Sequence, residues 1–341
     1  MTVRVRFAPS PTGSLHLGSA LSATANRRAG DWLLLRIDDT DPARNLAGGE
    51  EAIVADLAWL GIGWDEGPVR QSERVQRHRE AALAVGEPDG EGAIRYGRLT
   101  LVRPDGRPTY HLASVVDDID FRITRVIRGA DHRDNSAVQQ ELARALGAEP
   151  PEYVHHGLLL GEDGKKLSKR HGASSLVDLR EAGTPAEAAR AYLEELDLPA
   201  HDVHLDAGRI RRLAIEAIAA LPDEELAERA GAPVALARAL RGARDLNEAR
   251  SIAAAILEPE PVQLPEEARP TLERFAELRE RGVGALDEVG AKEILRELKA
   301  VGGDLKALRL ALTGAERGPE LWTVVAALPL DEALRRARAA L

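Results

Sequence analysis

Cysteine is absent from the 341 residues, and methionine occurs once. No disulfide, thiol nucleophile or Cys-ligated zinc can be built from such a chain, so no protein-bound zinc is expected. The missing thiols agree with a reducing compartment. Met1 to Ala8 alternates polar and apolar residues and has no apolar core of a signal peptide, so the expected location is cytoplasmic. No run approaches the ~18 apolar residues of a membrane span, and no membrane partner is expected. Aromatics make up 3% of the chain, which leaves Leu, Ala and Val to build the cores. Positive charge is in deficit: 46 Lys and Arg face 56 Asp and Glu, for a net charge of -10. Nucleic-acid binding through overall charge is therefore disfavoured, while a local basic face, acting over a Debye length of about 8 to 10 Å, stays open.

Lysine is the scarcest charge. Only six of the 46 basic residues are lysines, and none falls in the first 164 positions. Three of the six then stand within five residues, at Lys165, Lys166 and Lys169 of Gly161-Glu162-Asp163-Gly164-Lys165-Lys166-Leu167-Ser168-Lys169-Arg170-His171-Gly172. An ammonium is a compact point charge with three donors, whereas a guanidinium is a planar fork. The cluster reads either as a solvated basic turn or as a loop for a polyanion whose charge moves during reaction, such as a triphosphate.

Upstream of it, strand and helix patterns alternate. Val3 to Phe7 has period two, and Asp31 to Ile37 is the continuous apolar run of a buried parallel strand. Between them lies Ala8-Pro9-Ser10-Pro11-Thr12-Gly13-Ser14, a rigid loop, with Ser14 the expected N-cap of a helix to Arg28. Strand, small-residue loop and helix start form a general phosphate-binding arrangement, although neither a Walker A loop nor GxGxxG is present. Helices are expected over Gly49–Leu60, Gln71–Val85 and Ser136–Leu146, and strands over Ala93–Val102, Arg122–Ile127 and Tyr153–Leu160. Thr109–Val116 reads as strand or helix. This is α/β, a Rossmann-like doubly wound parallel sheet. Leu176–Leu196 reads as helix, and from Ala207 on the spacing is helical throughout, an all-α C-terminal region with Pro259–Pro265 as a linker candidate. The expected domains are 1-175, catalytic; 176-258, a helical connecting region; and 259-341, a second helical domain.

Arg6 to Gly18 resembles the first signature of class I glutamyl-tRNA synthetases. Arg36 to Asp41, Thr109 to Ala113, Val116 to Asp118 and Val126 to Gly129 resemble the family's following blocks, in order, and Gly164 to Gly172 looks like its second signature. Ala307 to Gly314 and Gly318 to Leu321 resemble the end of its anticodon-binding region.

The resemblance implies a glutamate–tRNA ligase: ATP-dependent formation of glutamyl-adenylate, then transfer of the acyl group to the 3′ end of tRNA-Glu. ATP with Mg²⁺, L-glutamate and tRNA are the implied cofactors and partners, and a monomer is expected. It implies catalytic roles for Lys169, Lys166 and His16, and ATP contacts from Pro9, Thr12, Gly13, His16, Gly18, Lys166, Ser168 and Lys169. It assigns Asp38 and Ser10 to the glutamate ammonium, Arg128 and Arg6 with Tyr110 to the side-chain carboxylate, and Ser114 to the pocket. No metal ligand is legible, Asp39 and Asp41 being weak candidates. Alternatives are a glutamyl-queuosine-type tRNA-modifying paralogue and an inactive tRNA-binding or regulatory protein.

The chain departs from the family pattern in places. Asp38 stands where most relatives have Glu, Ser114 where some have Asn, Ala130 where Glu is usual, and Ser19 where His or Gly is usual. The acceptor-stem insertion is cut to about 75-104. Arg77, Arg79, Arg95, Arg98 and Arg103 there, and Arg209 to Arg212 and Arg335 to Arg338 later, are either tRNA contacts or solvated arginines.

Overall fold

The computed structural model describes residues 2–161, 163–165, 167, 175–281 and 286–341. The chain divides into two compact units, Met1–Glu181 with Ala189–Ala207, and Ala182–Ala188 with Gly208–Leu341.

The first unit is built on parallel strands. β1 (Arg4–Phe7) leads through α1 (Leu17–Ala29) to β2 (Trp32–Ile37), and α2 (Gly49–Trp59) leads to β3 (Glu66–Arg70). β1 pairs with β2 from Arg4↔Trp32 to Phe7↔Leu35, and β2 pairs with β3, both parallel. After α3 (Val75–Val85), three short strands form a separate antiparallel sheet: β4 (Glu87–Pro88), β5 (Ile94–Tyr96) and β6 (Leu99–Val102). α4 (Tyr110–Asp120) then leads to β7 (Arg125–Gly129), and α5 (Asn135–Ala145) to β8 (Glu152–His156), which pairs with β7 in parallel. β7 runs beside β1: the Thr124 amide donates to the Arg4 carbonyl at 2.9 Å. The spatial order is therefore β3, β2, β1, β7, β8, which reverses at β1. The crevice at the carboxyl ends of strands beside such a reversal is where ligands bind in open α/β sheets. β9 (Leu159–Leu160), α6 (Leu176–Glu181), α7 (Ala186–Leu196) and β10 (Val203–His204) follow, with β9 and β10 paired in parallel.

Several local expectations need correction. The alternation Val-Arg-Val-Arg-Phe does not separate a wet from a dry face, because Arg6 is as buried as Val5 and Phe7. The N-cap of α1 is His16, not Ser14. Ser14 instead donates its hydroxyl to Asp56 at 2.7 Å. Ala93–Val102 is two strands joined at Gly97, whose φ of 56° a side chain would strain. The helix before it begins with a 3-10 turn at Gln71–Arg74. Thr109–Val116 is the start of a helix. Strand β8 stops at His156, and the Gly157 that follows passes so close to His201 that a Cβ there would lie 1.9 Å from its carbonyl oxygen. Leu176–Leu196 is two helices, and β3 carried no sequence signal that stood out.

The second unit is helical: α8 (Ala207–Ala220), α9 (Asp223–Ala230), α10 (Ala237–Leu240), α11 (Leu246–Leu257), α12 (Arg269–Arg281), α13 (Glu288–Ala300), α14 (Leu305–Thr313), α15 (Leu321–Ala327) and α16 (Leu330–Ala339). One hydrophobic cluster lies within Ile218–Ala253 and another within Leu236–Ala340, and Ala232 and Ile252 pack on both. The boundary expected at 259 thus falls inside this unit. The linker candidate is tied down, since the Leu264 amide donates to the Ala340 carbonyl at 2.9 Å. No helix among the described residues is long and apolar enough to cross a membrane.

Candidate active site

A cleft of about 560 Å³ opens at the reversal point. The loop after β1 contributes Ala8 to His16, and the turn after β2 contributes Asp38 to Asn45. Arg128 and Gly129 enter from β7, Asp131, His132 and Asn135 from the turn and helix start after it, His156 from the end of β8, Leu158 and Leu159 just beyond, and Tyr110 from the start of α4.

The β1 loop is held by backbone geometry and one buried acid. Gly13 adopts φ 96°, which disfavours any residue with a Cβ. A Cβ on Gly49 would lie 2.3 Å from the Pro11 carbonyl oxygen, so α2 can approach the loop only with glycine there. Asp56, 2% exposed on α2, accepts from the Ser14 hydroxyl and the Leu15 amide, and also from Arg180 at 2.9 Å. Asp56 carries only a weak signal in the sequence, an acid on an otherwise apolar helix face. His16 Nδ1 accepts from the Ser19 amide at 3.1 Å, which places the ring at the positive end of α1. Gly18 lies close against it: a Cβ there would sit 3.1 Å from His16 Nδ1, a tight contact with the ring.

Beneath the cleft lies a buried ion network joining Asp38 to Arg36, Asp117 and Asp118, which in the sequence stand only as motif residues. Arg36, fully buried, donates to both Asp38 carboxylate oxygens at 2.7 and 3.2 Å and to Asp118 at 2.9 Å. Desolvation pulls the Arg36 guanidinium down, but the three acids outweigh it and raise it above its ordinary value. Asp117 accepts from Gln71, Arg74 and His78. Burial alone would raise the Asp117 carboxyl; the His78 hydrogen bond and the Arg36 charge reverse this and hold it at about 2. Ser114 does not line the cleft. It is fully buried, and its carbonyl and hydroxyl face Arg36 at 3.5 and 3.4 Å.

Two buried guanidiniums face the cavity. Arg128, 6% exposed, donates to the Tyr110 hydroxyl at 3.2 Å and the Ser136 hydroxyl at 2.9 Å. Arg128 has no carboxylate within salt-bridge distance among the described residues. Burial, the largest effect, lowers the Arg128 guanidinium from its ordinary value. Arg6 lies 3.4 Å from Asp118, yet its buried Nε lacks a hydrogen-bond partner. Asp118 is already shared with Arg36. This wall is therefore short of negative charge, and an entering carboxylate would supply it.

Of the residues anticipated from sequence, Arg6, Pro9, Ser10, Thr12, Gly13, His16, Gly18, Asp38, Tyr110 and Arg128 all line this one cleft. Lys166, Ser168 and Lys169 lie outside the described residues. Lys165, just before them, is exposed, and its amide donates to Asp163 at 3.0 Å. Asp39 is engaged by the Ser72 amide and hydroxyl at 2.7 and 2.5 Å, and Asp41 lies 3.9 Å from Arg107. Among the described residues no cluster of three or more His, Asp or Glu side chains is arranged to hold a metal ion.

A parallel sheet reversing at β1, with a glycine-shaped loop and helix start over the crevice, defines a doubly wound nucleotide-binding type of fold. The chain belongs to the family described as tRNA synthetases class I (E and Q), catalytic domain, which matches residues 2–85 and 91–205. A protein named glutamate–tRNA ligase 1 from Rubrobacter xylanophilus is 35% identical over 98% of this chain and 97% of its own length. That alignment runs over 435 positions, more than the 341 residues here, so the relative carries segments that this chain lacks. A glutamate–tRNA ligase from Synechococcus sp. (strain JA-2-3B'a(2-13)) is 38% identical over 57% of this chain, which spans about 56% of that relative's length. In fold, the chain is similar to a crystal structure of a glutamate tRNA ligase from Elizabethkingia meningosepticum in complex with its amino acid. The TM-score is 0.73 at 23% identity, covering 100% of this chain and 99% of that one.

Proposed function

We propose that this chain is a glutamate–tRNA ligase acting on L-glutamate, ATP and tRNA-Glu. The observation that carries this reading is the buried Arg128 fork, which faces the cleft without a carboxylate of its own. A glutamine side chain would set an NH₂ group against guanidinium donors, so the fork selects glutamate. Arg6 and the Tyr110 hydroxyl complete that end. The glutamate ammonium goes to Ser10 and to lone pairs of Asp38 left over from Arg36.

In the first step an oxygen of the glutamate α-carboxylate bonds to the ATP α-phosphorus. The bond from that phosphorus to the bridging oxygen breaks, and pyrophosphate leaves with the electron pair. Pro9, Thr12, Gly13 and Gly18 frame the nucleotide, and the helix N-terminus at His16 offers donors to phosphate oxygens. Ser168, Lys166 and Lys169 are assigned to the leaving pyrophosphate, where rising charge is stabilised most in the transition state. The nucleotide enters with its Mg²⁺. In the second step a terminal ribose hydroxyl of tRNA attacks the acyl carbon, and AMP leaves.

The test uses ATP, labelled glutamate and tRNA. Base-labile glutamate on tRNA, blocked by prior periodate oxidation of the 3′ end, is expected. Periodate-resistant incorporation would instead make the chain a base-modifying paralogue, the alternative that the shortened insertion favours. Absence of any tRNA-dependent incorporation would leave a binding protein.

A further inference from the structure

Arg128 is oriented by a short relay of neutral groups behind it. Its Nη2 donates to Ser136 Oγ at 2.9 Å, and its Nε approaches His155 Nε2 at 3.4 Å. Ser136 Oγ and His155 Nε2 are 3.1 Å apart. A guanidinium offers five donors and no acceptor. His155 Nε2 must therefore be the acceptor, and the ring proton sits on Nδ1. A second proton, on Nε2, would remove that acceptor and set an imidazolium against the guanidinium.

We propose that His155, with Ser136, is a positioning residue that holds the Arg128 fork toward the cleft only while its ring is neutral, so that capture of the substrate's side-chain carboxylate weakens in acid. The proposal rests on the reading above that Arg128 binds that carboxylate. The groups around the ring are consistent with it. Arg128 faces it from β7, His132 and Arg133 act on it from the turn that follows, and Ser136 reaches it from the first turn of α5. On its own strand lie His156 and Tyr153, the latter stacked on it at 6.4 Å, and Tyr110 holds the opposite edge of Arg128. Burial first, then Arg128, Arg133 and the neighbouring histidines, push His155 below its ordinary value of 6.5. The ring is thus neutral at physiological pH and charges only in acid. Glutamate's own side chain, with a pKa of about 4.3, stays mostly ionised to about pH 5.

The experiment measures KM and kcat for glutamate in the full chain from about pH 8 to about pH 5, at saturating ATP and tRNA. Wild type is expected to show a rise in glutamate KM of about three- to tenfold toward acid, with the KM for ATP within about twofold. His155→Gln, whose amide oxygen can accept in the same place without titrating, should flatten that rise. Ser136→Ala should raise glutamate KM at every pH. A flat wild-type profile, or an acid rise that survives in a folded His155→Gln variant, overturns the proposal. His155→Asn serves as the second non-titrating variant should His155→Gln not fold. Arg128→Gln separates the two levels. If it leaves glutamate KM unchanged, the assignment of Arg128 itself fails. If it raises KM while His155→Gln keeps the wild-type profile, only the relay fails.

Discussion

A buried guanidinium facing only neutral partners has lost its water without gaining an ion pair, and that deficit has two measurable consequences at Arg128. Replacing it with glutamine should cost glutamate use about 2–5 kcal/mol in kcat/KM, the usual loss on truncating one member of a buried charge pair. The same change should not lower the melting temperature, because an unpaired buried cation is a burden to the free protein. Glutamate titration of aminoacylation, paired with a thermal melt, checks both; unchanged kinetics with a lowered melting temperature would mark Arg128 as purely structural. Arg279 shows the same physics with no cavity to serve. It is 2% exposed on α12, donates from Nη2 to the Leu328 carbonyl at 3.0 Å, and leaves Nε and Nη1 without hydrogen-bond partners. Burial lowers its guanidinium from the ordinary value. Arg279→Met, nearly matched in length and apolar, is expected to stabilise the chain by about 1–3 kcal/mol. Chemical denaturation reads this directly, and a destabilised variant would mean that the Leu328 bond outweighs the desolvation.

The acids of α4 tie the helix to its neighbours, and their energetics are set by pH. Asp117 reaches α3 through His78, the 3-10 turn through Gln71 and Arg74, and β2 through Arg36 at 3.9 Å. Its carboxyl is depressed from 3.8 to about 2. A depressed acid contributes stability that is complete above its unfolded value and is lost as pH falls through the folded one. The window therefore runs from about 4 down to about 2, and the contribution is about 2 kcal/mol. Asp117→Asn should be less stable at neutral pH and should lose most of the decline across that window in pH-dependent denaturation; a variant with the wild-type acid profile would contradict the assignment. Much of this architecture was legible in the sequence, because β2 is a continuous apolar run, β1 and β7 alternate with period two, and the β1 loop carries its prolines and Gly13 in the open. The buried network was not. A run such as Trp32-Leu33-Leu34-Leu35-Arg36-Ile37 says that Arg36 lies in a buried strand, but its partners Asp117 and Asp118 come from a helix some eighty residues away. For the same reason Ser114 was assigned to the pocket when its hydroxyl faces Arg36. Arg336, counted from sequence among candidate tRNA contacts, is 5% exposed and donates to the Ile256 and Leu312 carbonyls, which makes it part of the helical core. Periodicity reports which face is buried, and only the folded pairing reports what a buried charge meets.

Over the whole molecule, a net charge of -10 must be reconciled with a polyanionic partner, and the shortened insertion sharpens the problem. Overall repulsion leaves binding to local cations not already neutralised by neighbours. Of the five arginines in and around the insertion, Arg77 is paired with Asp120 and Arg95 with Asp89. Arg103, at the end of β6, stands among the residues lining the active-site cleft and makes no ion pair among the described residues. Under the proposed function, this puts a cation beside the cleft at which the 3′ end of tRNA would be acylated. Arg103→Ala should raise the KM for tRNA while leaving the KM for glutamate within about twofold, and it should reduce the slope of log affinity against log salt by about 1, the signature of one lost phosphate contact. The check is aminoacylation at several salt concentrations with tRNA and glutamate varied separately. Equal losses for both substrates would place Arg103 in the glutamate pocket, and an unchanged salt slope would mean that its guanidinium meets no phosphate.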